Sequence, residues 1–203
     1  MTASREPAGT PETRLFSAVL AAGSASRFGS SKQLADVRGK PLVRRAVQLA
    51  ESVTGERTLL CVGARWQAVY EAASPLSGFL VRNESHADGI GSSIATATRT
   101  LPASAEGLML LLADQALVEA SDLEILIRQW QQDPETIVCS HYAGIEGPPV
   151  IFPARLFPEL CELEGDQGAR RLIMRHKATV QSVDISRAAF DVDTPEDLSS
   201  LPP

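Results

Sequence analysis

Near the start of the chain two cations stand on a loop of small residues, in Phe16-Ser-Ala-Val-Leu-Ala-Ala-Gly-Ser-Ala-Ser-Arg-Phe-Gly-Ser-Ser-Lys-Gln-Leu34. Gly23 and Gly29 bracket the loop, and Arg27 and Lys32 supply the charge. Glycine lets backbone N–H groups approach phosphate oxygens, and fixed cations can neutralise the β and γ phosphates as pyrophosphate leaves. A nucleoside triphosphate is the ligand this chemistry suits. The spacing matches neither G-x-G-x-x-G nor the G-K-[ST] ending of a P-loop, so the two commoner phosphate loops are excluded by their own patterns. A Gly/Ser turn after a strand can also serve connection alone.

Carboxylates form the second chemical set. Gly107-Leu-Met-Leu-Leu-Leu-Ala-Asp114 is the most apolar run in the chain, and it ends abruptly in Asp114 followed by Gln115. An acid at the carboxyl end of a strand lies on the rim where open α/β sheets bind ligands. There it can hold Mg²⁺, which takes one or two carboxylates together with substrate phosphates. Asp191 and Asp193 flank one residue on an extended segment and so share a side, just before Thr194-Pro195 opens a helix. Capping of the following helix is the structural alternative for both Asp114 and Asp193.

Two further segments carry suggestive residues. Asn83-Glu-Ser-His-Ala-Asp-Gly-Ile-Gly-Ser-Ser-Ile94 is polar, and its glycines precede a helix whose N-terminus could face a ligand, with N-capping by Ser92 or Ser93 as the plain reading. His86, a lone loop histidine, is left outside the site. Glu164-Gly-Asp-Gln-Gly-Ala-Arg-Arg-Leu172 reads as a tight, salt-bridged turn around Asp166 that leads into a helix starting at Arg170 and Arg171.

The elements that must position these groups alternate along the chain. Strands are expected at Phe16–Ala22, Arg57–Val62, Gly78–Val81, Gly107–Asp114, Thr136–Tyr142 and Thr179–Ile185. Helices are expected over Gly39–Ala50, opened by Pro41, over Trp66–Ala73, beyond Ser93, from a Ser121-Asp-Leu-Glu124 capping box to Trp130, and from Phe157. Gly144 to Gly147 reads as a turn, and the prolines of Pro148-Pro-Val-Ile-Phe152 suit a sheet edge or a bulge better than a central strand. The alternation predicts a three-layer α/β/α sandwich around a mostly parallel, Rossmann-like sheet, as one domain over residues 15–203 after a flexible tail at 1–14.

Composition narrows the partners. A net charge of −6 argues against a nucleic-acid or membrane-surface binder. Cys61, Cys139 and Cys161 are odd in number and widely spaced, which offers neither a disulfide framework nor a zinc site and suits a reducing cytoplasm. The N-terminus lacks a signal-peptide core, and no run approaches the ~20 apolar residues of a membrane helix. Small-molecule substrates are therefore expected.

Leu-Ala-Ala-Gly-Ser-x-Ser-Arg-Phe-Gly-x-x-Lys-Gln-Leu resembles the signature of the MobA-like nucleotidyltransferases, and most closely their molybdenum cofactor cytidylyltransferase branch; the resemblance spans about Phe16 to Leu198. It implies that Leu20, Ala21, Ala22, Gly23, Ser24, Arg27 and Lys32 wrap the triphosphate, with Lys32, Arg27 and Asp114 as the catalytic set. By the same resemblance Gly89, Ser92 and Ser93 belong to the base pocket, Asp114 and Asp193 hold Mg²⁺ or Mn²⁺, and Asp166 and Arg170 of the Gly-Asp-x-Gly-Ala-Arg motif wall the second substrate. Many family members carry His where Pro148 stands. The implied reaction moves CMP from CTP to the phosphate of the molybdopterin cofactor, with a molybdenum hydroxylase apoenzyme as a further partner. A guanylyl or sugar-phosphate transferase, or a carrier module that delivers the cofactor, are the other readings.

Overall fold

The computed structural model describes residues 14–23, 32–63 and 65–201. In chain order these form β1 (Leu15–Ala21), a short hairpin of β2 (Asp36–Val37) and β3 (Lys40–Pro41), α1 (Leu42–Thr54), β4 (Thr58–Val62), α2 (Trp66–Ala73), β5 (Phe79–Arg82), α3 (Ile90–Arg99) and β6 (Gly107–Leu112). There follow α4 (Ala120–Gln132), β7 (Ile137–Tyr142), β8 (Ile145–Pro153), α5 (Phe157–Cys161), α6 (Ala169–Arg175), β9 (Val180–Asp184) and α7 (Pro195–Ser199).

Seven strands make one sheet in the order β5-β4-β1-β6-β8-β7-β9, in which β8 runs against its two neighbours and the remaining pairs are parallel. All seven residues of β1 and all five of β4 are buried, because helices cover both faces of these central strands. On one face α1, α2 and α4 pack on alternate strand residues such as Val19, Leu60, Met109 and Leu111. On the other, α3, α5 and α6 pack on Leu20, Cys61, Leu108 and Leu110. This is the three-layer, mostly parallel α/β/α architecture that the alternation implies. No helix among the described residues is long and apolar enough to cross a membrane.

Three local expectations are corrected. The capping box of α4 is Glu119 with Asp122, not Ser121 with Glu124: the helix starts at Ala120, so Ser121 already lies in its first turn. Asp122 accepts from the Glu119 amide at 2.9 Å and from Arg187 Nη1 at 2.9 Å, and this second partner selects the frame. The turn between β7 and β8 is Ala143-Gly144, both with positive φ, and Ile145 already pairs with Tyr142. A two-residue loop of this kind matches strand twist.

The proline pair sits not at a sheet edge but inside β8, between β6 and β7. Its alternative, a bulge, is what the register shows: Val150 pairs with Cys139 and Gly147 with Ser140, which leaves Pro148 and Pro149 as extra residues. Two imides without N–H thus fall where the ladder is interrupted. Their carbonyls are met by side chains, Ser140 Oγ donating to Pro149 O at 2.8 Å and Gln115 Nε2 to Pro148 O at 3.0 Å.

Candidate active site

The carboxyl ends of β1 and β6 lie side by side, since Leu20 pairs with Leu112 and the Ala113 amide donates to Leu20 O. Beyond β1 the chain continues to Gly23; Ser24 and Arg27 lie outside the described residues. It is described again at Lys32, which opens a single helical turn. Gln33 anchors that turn: its buried amide donates to Ala21 O at 3.2 Å and to Gly23 O. Lys32 is thereby held over the strand ends.

The C-terminal acids reach the same place by a backbone bond. The Val192 amide donates to Asp114 O at 3.0 Å, which sets the Asp191–Asp193 segment against the end of β6. Asp197 accepts from the amides of Asp193 and Thr194 at 2.9 and 2.7 Å, in a capping box that starts α7 and shapes this segment. The capping role considered for Asp193 belongs to Thr194 and Asp197.

Lys32 Nζ stands 2.6 Å from Asp114 Oδ2 and 2.7 Å from Asp193 Oδ1. Burial by itself would lower the Lys32 pKa, but the charges and hydrogen bonds of Asp114 and Asp193 outweigh it and the net shift is upward. Asp191 is pushed up to about 6, by desolvation first and then by the negative charges of Asp114 and Asp193, partly offset by Lys32. The sequence marks Asp191 only as a companion of Asp193; in the fold it is exposed and does not line the cavity, although the charges of Asp114 and Asp193 reach its carboxyl.

Asp114 Oδ1 is buried and has no hydrogen-bond partner. A carboxylate oxygen in that condition lacks a cation or donor, since an unpaired buried acceptor is costly. Among the described residues no three His, Cys, Asp or Glu side chains form a ready metal cage. Two carboxylates drawn to one ammonium, with one oxygen unmet, nevertheless fit a hard divalent cation that completes its shell with water and phosphate oxygens.

A cavity of about 550 Å³ opens from this cluster. Leu20, Ala22, Gly23, Lys32, Asp114 and Asp193 line it from the strand ends. Gly89, Ser93 and Asp166 line the other side together with His86 and Ile90, and Gln33 lines the strand-end side beside Lys32; sequence reasoning did not place Gln33, His86 or Ile90 there. Ala21 is absent from the lining because its side chain faces the α1 side of the core. Arg170 is exposed on α6 and Ser92 is turned away, so neither lines the cavity.

The two glycine-rich motifs meet each other here. Gly89 has φ +96°, and a Cβ on it would stand 2.4 Å from the Gly165 carbonyl carbon. The Gly91 amide donates to Gly165 O at 2.9 Å, so the turn carrying Asp166 is sewn to the start of α3. Neither serine caps that helix, whose N-cap is Gly89 without a side-chain cap. Ser92 Oγ instead donates to Gly89 O at 2.7 Å or Ser85 O at 2.8 Å and accepts from Asn83 Nδ2, which also donates to Ser93 Oγ at 3.0 Å. The buried Asn83 organises this wall, and nothing in its local sequence signals it. His86 is seated by a 3.2 Å contact of Nδ1 with Asn83 O and by Gly63, where a Cβ would meet the ring at 2.8 Å.

A family model described as the MobA-like NTP transferase domain matches residues 17–180. The purine catabolism protein PucB of Bacillus subtilis is 28% identical over 90% of this chain and 93% of its own length. A probable molybdenum cofactor guanylyltransferase of Nostoc is 26% identical over 92% of this chain and 90% of its own. Among solved structures, Rv0371c of Mycobacterium tuberculosis superposes with TM-score 0.80 at 27% identity, covering 93% of this chain and 97% of that one. Its manganese complex superposes at 0.77 with 26% identity and the same coverage. With its sheet ends, cavity and matched span in agreement, the chain belongs to the MobA-like NTP transferase family and is a nucleotidyltransferase of that family.

Proposed function

We propose that the protein transfers CMP from CTP to the terminal phosphate of the molybdopterin cofactor, forming the cytosine dinucleotide cofactor and pyrophosphate. The observation that carries the reading is Lys32 held between Asp114 and Asp193 at the mouth of a 550 Å³ cavity. Support for the cytidylyl choice comes from the likeness of the Leu20–Leu34 and Gly165–Arg170 motifs to that branch. The acceptor phosphate is already an anion, so the work of the site is alignment and charge compensation, not activation of a nucleophile.

Lys32, with Arg27 from the loop outside the described residues, would take the β and γ phosphates and stabilise the leaving pyrophosphate. Asp114 and Asp193 would hold Mg²⁺ or Mn²⁺, and such an ion supplies charge neutralisation across the phosphates. Ser93 and Gly89 would border the base, and Asp166 would face the acceptor. Arg170 reaches that role only if its side chain turns inward. A molybdenum hydroxylase apoenzyme is the proposed recipient of the product.

Calorimetric titration with CTP, GTP, UTP and ATP, each with and without Mg²⁺, tests the reading, with Asp114→Ala as control. Mg²⁺-dependent preference for CTP that disappears in the variant is expected. The name of the Nostoc relative favours a second reading, guanylyl transfer, and preference for GTP would establish it instead. Absence of binding to every nucleotide, repeated with the cofactor present, would leave the carrier role.

A further inference from the structure

A second cavity, of about 250 Å³, opens on the opposite side of the end of β6, between α1 and the segment that follows Leu111. Leu42, Leu49 and Leu111 give it apolar walls, and Lys40, Arg45 and Gln115 give it polar ones. Leu111 faces the α1 and α4 layer and lines this cavity alone, whereas Leu112 and Ala113 form a wall that it shares with the larger cavity.

The polar groups of this cavity are under-partnered. Arg44 donates to Ala73 O at 2.7 Å and lies 4.0 Å from Glu51, but Arg45, its neighbour, has no acceptor or carboxylate partner among the described residues, and its Nε–H is buried. Lys40, which is exposed, donates from Nζ to Gln48 Oε1 at 3.2 Å and has no carboxylate partner among the described residues. Gln115 is only 6% exposed. Its Nε2 donates to Pro148 O and Ala188 O at 3.0 and 2.9 Å, which fixes the amide orientation and leaves Oε1 buried without a donor.

A buried polar group left in this state is costly. Arg45 Nε–H and Gln115 Oε1 are the buried groups left unmet here, and the exposed Lys40 ammonium on the rim adds a second positive charge. We propose that this cavity is a second binding site, for a small organic anion whose carboxylate or phosphate head pairs with Arg45 and Lys40 while a short apolar body lies on Leu42, Leu49 and Leu111. A hydroxyl or N–H on the ligand meets Gln115. At about 250 Å³ the cavity lies below the ~300–1,000 Å³ usual for drug-sized ligands, which suits a small anion. Because Gln115 directly follows Asp114, the occupant touches the turn that carries the active-site carboxylate.

The Nε–H resonance of Arg45, assigned by its absence from Arg45→Gln, reads this site directly in nitrogen–proton spectra. Inorganic phosphate and butyrate are titrated separately, into the full chain and into Lys32→Ala, which disables the triphosphate site. The proposal expects saturable shifts of the Arg45 signal with at least one of the two probes, preserved in Lys32→Ala, the responding probe identifying the head group. Arg45→Lys should retain binding weakened about tenfold, the loss of one charge-assisted hydrogen bond. An Arg45 signal that responds to neither probe, or only while Lys32 is intact, would overturn it.

Discussion

Lys32 Nζ and Asp114 Oδ2 stand 2.6 Å apart, and the same ammonium lies 2.7 Å from Asp193. Lysine thus occupies the carboxylate pair that a divalent cation would need. Phosphate oxygens arriving at Lys32 would draw it off the acids as they bring their own claim on the metal, so nucleotide and metal binding should reinforce each other. In the full chain Mn²⁺ should bind weakly alone and about tenfold or more tightly with nucleotide. Lys32→Met should bind Mn²⁺ more tightly without nucleotide, while its turnover falls by about 10²–10³. Mn²⁺ electron paramagnetic resonance and calorimetry measure both; equal metal affinity in the two proteins would refute the competition.

The two carboxylates should not be equivalent. Asp114 has a side chain 22% exposed and an unpaired buried oxygen, whereas that of Asp193 is 58% exposed. Asp114→Asn should therefore reduce kcat by about 10²–10³, and Asp193→Asn by a smaller factor, because interactions weaken with solvent screening. Thermal unfolding of Asp114→Asn should stay close to that of the unaltered protein, since Lys32 retains Asp193. Activity and melting profiles together check this.

Acid should destabilise the sheet's far end through Glu146 and the α5–α6 contact through Glu159. Hydrogen bonds from Lys177 and Ser182 lower the Glu146 pKa, and those from Arg175 and His176 lower that of Glu159. A carboxylate whose folded pKa is depressed adds stability that is fully present above its unfolded value, near 4.5, and is lost as pH falls through the folded value. Between pH 6 and pH 3 the urea midpoint should fall, and it should fall less in Glu146→Gln/Glu159→Gln. An unchanged slope in the double variant would assign the acid sensitivity elsewhere.

Two glycines with positive φ should differ in what they do. Alanine at Gly144 meets open space, so Gly144→Ala should cost about 1 kcal/mol and leave nucleotide affinity unchanged. Alanine at Gly89 also collides with the Gly165 carbonyl, so Gly89→Ala should cost more than that and weaken nucleotide binding by separating α3 from the Asp166 turn. Denaturation midpoints and nucleotide titrations of the pair give the comparison.

Much of the frame was legible in the chain. Uninterrupted apolar runs named β1, β4 and β6 because a strand covered on both faces needs no polar alternation. Asp114, at the end of such a run, was placed on the ligand rim by the polarity of the strand alone. The proline pair announced an interrupted ladder, although not that the strand carrying it lies between two others. Capping frames are less legible, since Ser121-Glu124 fits the Ser/Thr-x-x-Glu pattern and Glu119-Asp122 does not, yet the second forms, with Asp122 held by Arg187 from a distant segment.

What the sequence by itself determined are the properties that follow from neighbours along the chain: strand and helix type, the glycine loop, and carboxylates at strand ends. Tertiary structure alone decided that Lys32 meets both Asp114 and Asp193, that Gly89 seats against Gly165, that His86 enters the cavity, and that Ser92 turns away from it. These depend on which strand ends lie side by side and which loops cross between them. Strand order follows from packing both faces of the sheet at once, a condition that no local window of residues contains.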